Sequence, residues 1–280
     1  MDDRTLRAYL AEVNGTFALV FVSAGTVMAN ALGGGLQPVS VTIALAAGLS
    51  YAMALAFTLP LSDGYLNPAI TTMLWVFKRM DGLKAAALIG SQVLGAACAA
   101  VLLRAIFPYR EEVFSVTRFG TPHLSIGPFN AERSFSLPYL LQGIGIEASL
   151  TFVVVVTLFG TTIDTRARKW LGATGNKLIP LWLGIALAAV TLAGFSLTGA
   201  AVNPARWLGP FLMEYTITPL RETDPKADHV VFWVGPIVGA LFAGWLYTYL
   251  ILVPEEEAPA TRPPMAAGKG PTGALSRARK

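Results

Sequence analysis

The chain has 280 residues, 54% of them hydrophobic and only 14% charged, with a formal net charge of +4. Soluble domains carry roughly 25% charged residues, and most of their helices keep one wet face. Composition therefore argues against a soluble enzyme, a nucleic-acid binder and a disordered scaffold, and leaves a membrane-embedded helical protein. Val13 to Ser62 is a run of fifty residues without Asp, Glu, Lys or Arg, and Leu178 to Ala205 and His229 to Pro254 are further uncharged runs.

The N-terminus, MDDRTLRAYLAEVNGTF, lacks a cationic-then-apolar stretch with a small-residue cleavage site, so the first apolar run reads as a retained span. As one helix the fifty-residue run would be about 75 Å long, over twice the hydrocarbon thickness. Gly33-Gly34-Gly35 and Pro38 divide it into span 1, 10–31, and span 2, 39–61. Span 3 follows at 84–104, span 4 at 138–160, span 5 at 178–197 and span 6 at 229–252. Leu66 to Phe77 and Val202 to Met213 are apolar but too short to cross, which makes them candidates for re-entrant half-helices. The connection 105–137 holds Phe107, Tyr109, Phe114, Phe119, Phe129 and Phe135, and is expected to pack on the outer surface.

Fourteen of the twenty-one Lys and Arg residues lie at the two termini and in the 2–3 and 4–5 connections. An even number of spans puts those four places on one side, and the positive-inside bias makes that side cytoplasmic. The net charge is then a topology signal and names no partner. The single cysteine, Cys98, allows no intrachain disulfide, and no Cys/His group has metal-site spacing. No cofactor, metal or catalytic residue is expected, since no nucleophile–base set or phosphate-binding glycine loop appears.

The sequence repeats at a spacing near 136. Glu12-x-x-x-Thr16-Phe17 recurs as Glu147-x-x-x-Thr151-Phe152, Gly48 as Gly184, and Asn67-Pro68-Ala69 as Asn203-Pro204-Ala205. Gly95-Ala96 matches Gly239-Ala240 at a looser offset. Three spans per half invert the second half relative to the first, which brings the interrupted segments face to face at the midplane. Three segments follow: 1–130, the first repeat with its long outer loop; 131–253, the second repeat; and 254–280, a Pro- and Gly-rich tail expected to be a disordered cytoplasmic segment.

Asn before Pro before an apolar run starts a helix for a physical reason. Asn caps, and Pro fits the first helical position, where its missing N–H is not needed. Two inverted half-helices whose N-termini meet concentrate partial positive charge at the membrane centre, while Asn67 and Asn203 offer side-chain donors there. Such a place serves a neutral hydrogen-bonding solute and repels a cation or a proton moving along a water file.

These residues resemble the major intrinsic protein family, the aquaporins and aquaglyceroporins. The resemblance rests on Ala11-Glu12-x-x-Gly15-Thr16-Phe17, Leu66-Asn67-Pro68-Ala69-Ile70-Thr71, Val202-Asn203-Pro204-Ala205-Arg206 with Gly209-Pro210, and Phe232-Trp233-Val234-Gly235-Pro236. It implies an all-α membrane protein with six transmembrane helices, two re-entrant half-helices, a pore in each subunit and a homotetramer; the expected location is the cell membrane, with both termini cytoplasmic by the charge count above.

The family's outer constriction falls, by spacing from the two Asn residues, on Ala47, Thr191, Ala200 and Arg206. Arg206 is there implied to donate to solute and to oppose cations; an Arg snorkelling to the outer headgroups is the plainer alternative. Small side chains at the other three corners depart from both the water-selective and the glycerol sets. They suggest a wide, partly polar hole for glycerol, urea, ammonia or neutral metalloid acids such as silicic or boric acid, with water. Trp207 or an aromatic of the outer connection could instead fill that space. Asp63-Gly64-Tyr65 also departs from the family pattern, with Asp63 a solvated loop charge or a mouth residue. Glu12 and Glu147 read as braces that accept backbone N–H groups of their loops, or as a proton relay. The leading function is a passive channel for neutral solutes, with a water-selective channel, an ion-coupled transporter and a closed structural protein as alternatives.

Overall fold

The computed structural model describes residues 2–33, 40–107, 117–125, 137–217 and 225–252. Its long helices are α1 (Asp3–Leu32), α2 (Ser40–Ser62), α4 (Gly82–Ile106), α5 (Leu137–Leu158), α7 (Ile179–Thr198) and α9 (Pro225–Leu246). The ends of α5 and α9 run on as wider π turns, Phe159–Ile163 and Tyr247–Ile251. Six helical stretches among the described residues are long and apolar enough to cross a membrane, matching the six expected spans. Two short helices, α3 (Pro68–Val76) and α8 (Pro204–Ile217), begin at the two NPA motifs. The chain is thus an all-α membrane protein with two re-entrant half-helices.

Each half is a three-helix unit. α1 packs on α2 and α4, α5 packs on α7 and α9, and α2 meets α7 between the halves. Glycine sets that central crossing. A Cβ added to Gly48 would stand 2.4 Å from the Gly184 carbonyl oxygen, and one on Gly184 2.5 Å from the Gly48 oxygen. The loosely spaced pair also matches in space. Gly95 of α4 lies against the Val13 carbonyl of α1, and Gly239 of α9 against the Ala148 carbonyl of α5. The half-helices cross over: α3 packs on α9 of the second half, and α8 on α4 of the first.

On α2, Val41, Leu45, Leu49, Met53, Phe57 and Leu61 form an exposed apolar stripe, while Ala47, Tyr51, Ala54 and Leu55 are buried. An exposed apolar face at i, i+4 spacing, opposite a buried one, is what a helix bordered by lipid presents.

Three features differ from the sequence expectation. α1 begins seven residues earlier than residue 10, because Asp2 caps it by accepting from the Thr5 N–H at 2.8 Å. The charges of that first turn hid the start from an apolar-run criterion. Between α5 and α7 lies an unforeseen helix, α6 (Thr165–Lys177), capped by Asp164 and with no buried residue. Its Arg and Lys content masked it in the same way. α8 continues past Met213 to Ile217, with Pro210 inside it.

Of the expected aromatic connection, Phe107 and Phe119 are described. Phe119 is buried against Ala24, Met28 and Leu103, and Phe107 packs on the same cluster. Tyr109, Phe114, Phe129 and Phe135, and the tail 254–280, lie outside the described residues.

Candidate functional site

The two half-helix starts are built alike. Asn67 Oδ1 accepts the Ala69 N–H at 2.9 Å, and Asn203 Oδ1 accepts the Ala205 N–H at 2.9 Å. Each Asn also reaches across: Asn67 Nδ2 donates to the Val202 carbonyl at 3.0 Å, and Asn203 Nδ2 to the Leu66 carbonyl at 2.7 Å. An amide nitrogen has two hydrogens. One on each Asn bonds the opposite loop, which leaves one on each outside these bonds.

The loops feeding these helices share an unusual backbone. Asp63, Gly64 and Leu66 have φ of 68°, 63° and 52°, and at offset 136 Gly199, Ala200 and Val202 have 77°, 47° and 58°. Left-handed geometry is strained for side-chain-bearing residues and persists only where surroundings enforce it. The enforcing groups are the two intramembrane carboxylates. Glu12 accepts Ser62 Oγ–H at 2.7 Å, Tyr65 N–H at 2.9 Å, Leu66 N–H at 2.7 Å and Gln92 Nε2–H at 2.7 Å. Glu147 accepts Thr198 Oγ1–H at 2.6 Å, Ala201 N–H at 3.0 Å and Val202 N–H at 2.7 Å. Both are fully buried. The bracing reading of the two carboxylates therefore fits the geometry. Both oxygens of each accept from loop donors, which ties each carboxylate to the loop of its own half.

Ser62, Thr198 and Gln92 were missed in the sequence. Ser62 and Thr198 stand at the repeat offset of 136 as a hydroxyl pair, which a strict offset comparison would have found. Gln92 has no repeat partner and left no such signal.

Arg206 follows Asn203 by three positions on α8 and is 3% exposed. Its Nη1 donates to the Ala200 carbonyl at 3.3 Å and to the Gly199 carbonyl at 3.5 Å. The strained loop thus turns its oxygens onto the guanidinium, an arrangement that does not suit a side chain snorkelling to headgroups. A cavity of about 10 Å³ is lined by Asn67, Asn203 and Arg206, together with Leu19, Tyr51, Leu187 and neighbouring residues. That is room for about one water. Ala47, Thr191 and Ala200 are fully or almost fully buried and are not among its lining residues, and the Thr191 hydroxyl has no hydrogen-bond partner.

Trp207 does not fill this space. It is buried between α8 and α9, stacked on Phe211 at 4.6 Å and Phe232 at 5.6 Å, with His229 against its edge. Phe119 packs behind α1, away from the cavity lining. The described part of the outer connection does cover the second loop. Ser125 N–H donates to the Leu197 carbonyl at 2.8 Å, and Pro122 lies so close to Gly199 that a Cβ there would meet it at 2.7 Å. Near it Arg118 pairs with Glu214, and His123 Nδ1 lies 3.6 Å from Asp228. Burial holds the His123 imidazole below its ordinary value, opposed by Asp228. At the other mouth, exposed Asp63 accepts from the Tyr65 hydroxyl at 3.0 Å, as a solvated loop charge would.

Comparison with known proteins agrees with this geometry. The family described as "Major intrinsic protein" matches residues 2–247. The chain is 33% identical to Aquaporin TIP4-4 of Zea mays over 265 residues, covering 93% of each. It is 34% identical to the glycerol uptake facilitator protein of Haemophilus influenzae over 263 residues, covering 88% of this chain and 94% of that one. The solved structure of the aquaglyceroporin from Plasmodium falciparum superimposes with a TM-score of 0.70, at 21% identity, over 89% of this chain and 97% of that one.

Proposed function

The chain belongs to the major intrinsic protein family, and we propose that it is a passive transmembrane channel for small neutral solutes that excludes protons and ions. The solute class is glycerol, urea, ammonia or neutral metalloid acids, together with water. The observation that carries this reading is the shared cavity of Asn67, Asn203 and Arg206, with each Asn locked by a cap and a cross-bond. Two half-helix N-termini and a guanidinium face that cavity, and all three disfavour a cation. Ala47, Thr191 and Ala200 put no bulky side chain at the outer constriction, which supports solutes larger than water.

A water-selective channel is the second reading, favoured by the cavity's room for about one water. An ion-coupled transporter fits less well, because no carboxylate is among the cavity-lining residues. We place the channel in the cell membrane as a homotetramer, with membrane lipid around it and both termini cytoplasmic. The repeats 1–130 and 131–253 act as its two inverted halves.

Stopped-flow light scattering on proteoliposomes, with water, glycerol, urea and boric acid in turn, tests the solute class. Flux of at least one larger solute above empty liposomes supports it. Water flux alone would leave the water-selective reading in its place.

A further inference from the structure

Three corners of the outer constriction are small, yet Ala47 and Ala200 are wholly covered and Thr191 is 1% exposed. A wide open hole would leave them accessible. The cavity lining shows what stands there in their place. Tyr51 follows Ala47 by four residues on α2, and Leu187 precedes Thr191 by four on α7. Four residues are about one helical turn, or roughly 6 Å, so each lies on the same helix face as its small neighbour. Because α2 and α7 run in opposite directions, both steps lead the same way, from the outer constriction toward the Asn pair.

Side chains on a helix lean toward its N-terminus and cover the turn before their own Cα. For Tyr51 that turn is the one carrying Ala47. The ring stands on the same helix face one turn inside Ala47 and lines the cavity next to the Asn pair. Its hydroxyl takes part in no hydrogen bond seen among the described residues and is not one of their sealed, unpartnered atoms. Buried tyrosine hydroxyls usually find a partner, and Tyr51 lines a cavity shared with Arg206, Asn67 and Asn203.

We propose that Tyr51 is the residue that sets the upper size limit of the pore. Its ring supplies the aromatic wall that position 47 lacks, and its hydroxyl is a hydrogen-bonding group for the passing solute. Within the solute class proposed above, the compact and polar water, ammonia and urea pass this ring faster than the longer glycerol. Size selection then acts one turn inside the outer constriction, and the small side chains at 47, 191 and 200 do not determine it. This inference rests on the channel reading above, and the test separates the two.

The experiment compares the full-length parent, Tyr51→Ala, Tyr51→Val and Tyr51→Phe in proteoliposomes, each checked for assembly by size-exclusion profile. Water, urea and glycerol permeabilities are read on every preparation. Tyr51→Ala and Tyr51→Val are expected to raise the glycerol-to-water permeability ratio about tenfold or more, a barrier change of about 1.4 kcal/mol. Tyr51→Phe is expected to keep the size limit and to slow urea relative to water. If assembled parent and variants all conduct water but the glycerol ratio stays within twofold, the assignment of Tyr51 is overturned and the channel reading stands. If none conducts any solute above empty liposomes, the channel reading itself falls. If Tyr51→Ala does not assemble, the Tyr51→Val ratio decides.

Discussion

Replacing Glu147 with Gln tests the bracing role of the buried carboxylates. One Glu147 oxygen accepts both Thr198 Oγ1–H and Ala201 N–H, and the other accepts Val202 N–H. Glutamine keeps one acceptor and presents an NH2 group at the other position. If that group faces Val202, two donors oppose each other. If it faces the other side, Thr198 can rotate to accept but the Ala201 N–H is orphaned. Either way one buried backbone donor loses a bond to a charged acceptor, at a cost of about 1.5–3 kcal/mol, and is left unsatisfied in a dry loop. A loss of about 2–4 kcal/mol follows. With an unfolding entropy of about 2.1 cal/mol/K per residue, the midpoint falls by about 3–7 °C. The assay is thermal unfolding of purified protein in detergent, alongside the yield of assembled material. Glu12→Gln orphans one backbone N–H by the same count, from Tyr65 or Leu66, so the two variants should lose about equally. Normal yield and midpoint with an altered solute preference would refute the bracing argument and revive a transport role for the carboxylates.

Arg206→Val removes the only charged side chain in the cavity lining and is expected to keep water flux while proton leak rises measurably in dye-loaded liposomes; a leak equal to the parent's would place ion exclusion wholly on the half-helix termini. Gly184→Ala puts a methyl 2.5 Å from the Gly48 oxygen and 2.7 Å from Ala52 Cβ, so α2 and α7 must separate. Overpacking of this kind costs about 1–3 kcal/mol or more, and the yield of folded protein should drop severalfold; unchanged yield would show that the crossing can relax. Asp164 caps α6 and accepts from Arg166 Nε at 3.1 Å and Nη2 at 2.9 Å, while Arg166 also donates to the Ile251 carbonyl at 2.8 Å. The bond from Arg166 holds the Asp164 carboxyl below its ordinary 3.8. A depressed acid stabilises above its unfolded value and loses that stabilisation as pH falls through the folded one. Amide exchange over 165–171, corrected for intrinsic rates, should therefore stay protected down to about pH 4 and open below it, and Asp164→Asn should open it at neutral pH. Protection unchanged in Asp164→Asn would remove the cap from the account.

The membrane-spanning frame was readable because a bilayer imposes a length and an absence of charge, both of which a sequence displays directly. The parts that escaped did so for the opposite reason. α6 carries Arg166, Arg168 and Lys169 on a helix with no buried face, so it has neither an uncharged run nor a core stripe. The early start of α1 depends on the Asp2 cap, which looks like an ordinary terminal charge until its partner Thr5 is placed. Glu12 and Glu147 were interpretable because the repeat pairs them. Gln92, which completes the first brace, has no counterpart and emerges only when α4 is packed on α1. Tyr51 was overlooked because the constriction was assigned by spacing to four positions, which ignores how far a residue one turn away can reach. The ion pair of Arg118 with Glu214 needs the path of the outer connection, which no periodicity encodes.

The central claim is that paired half-helix termini conduct neutral molecules and no charge. It is tested most directly by measuring osmotic water flux and proton flux on the same proteoliposomes, with an internal pH-sensitive dye and an imposed pH gradient. Water flux well above empty liposomes with a proton leak equal to theirs is the predicted result. Proton flux rising together with water flux, or uptake that requires the gradient, would contradict it.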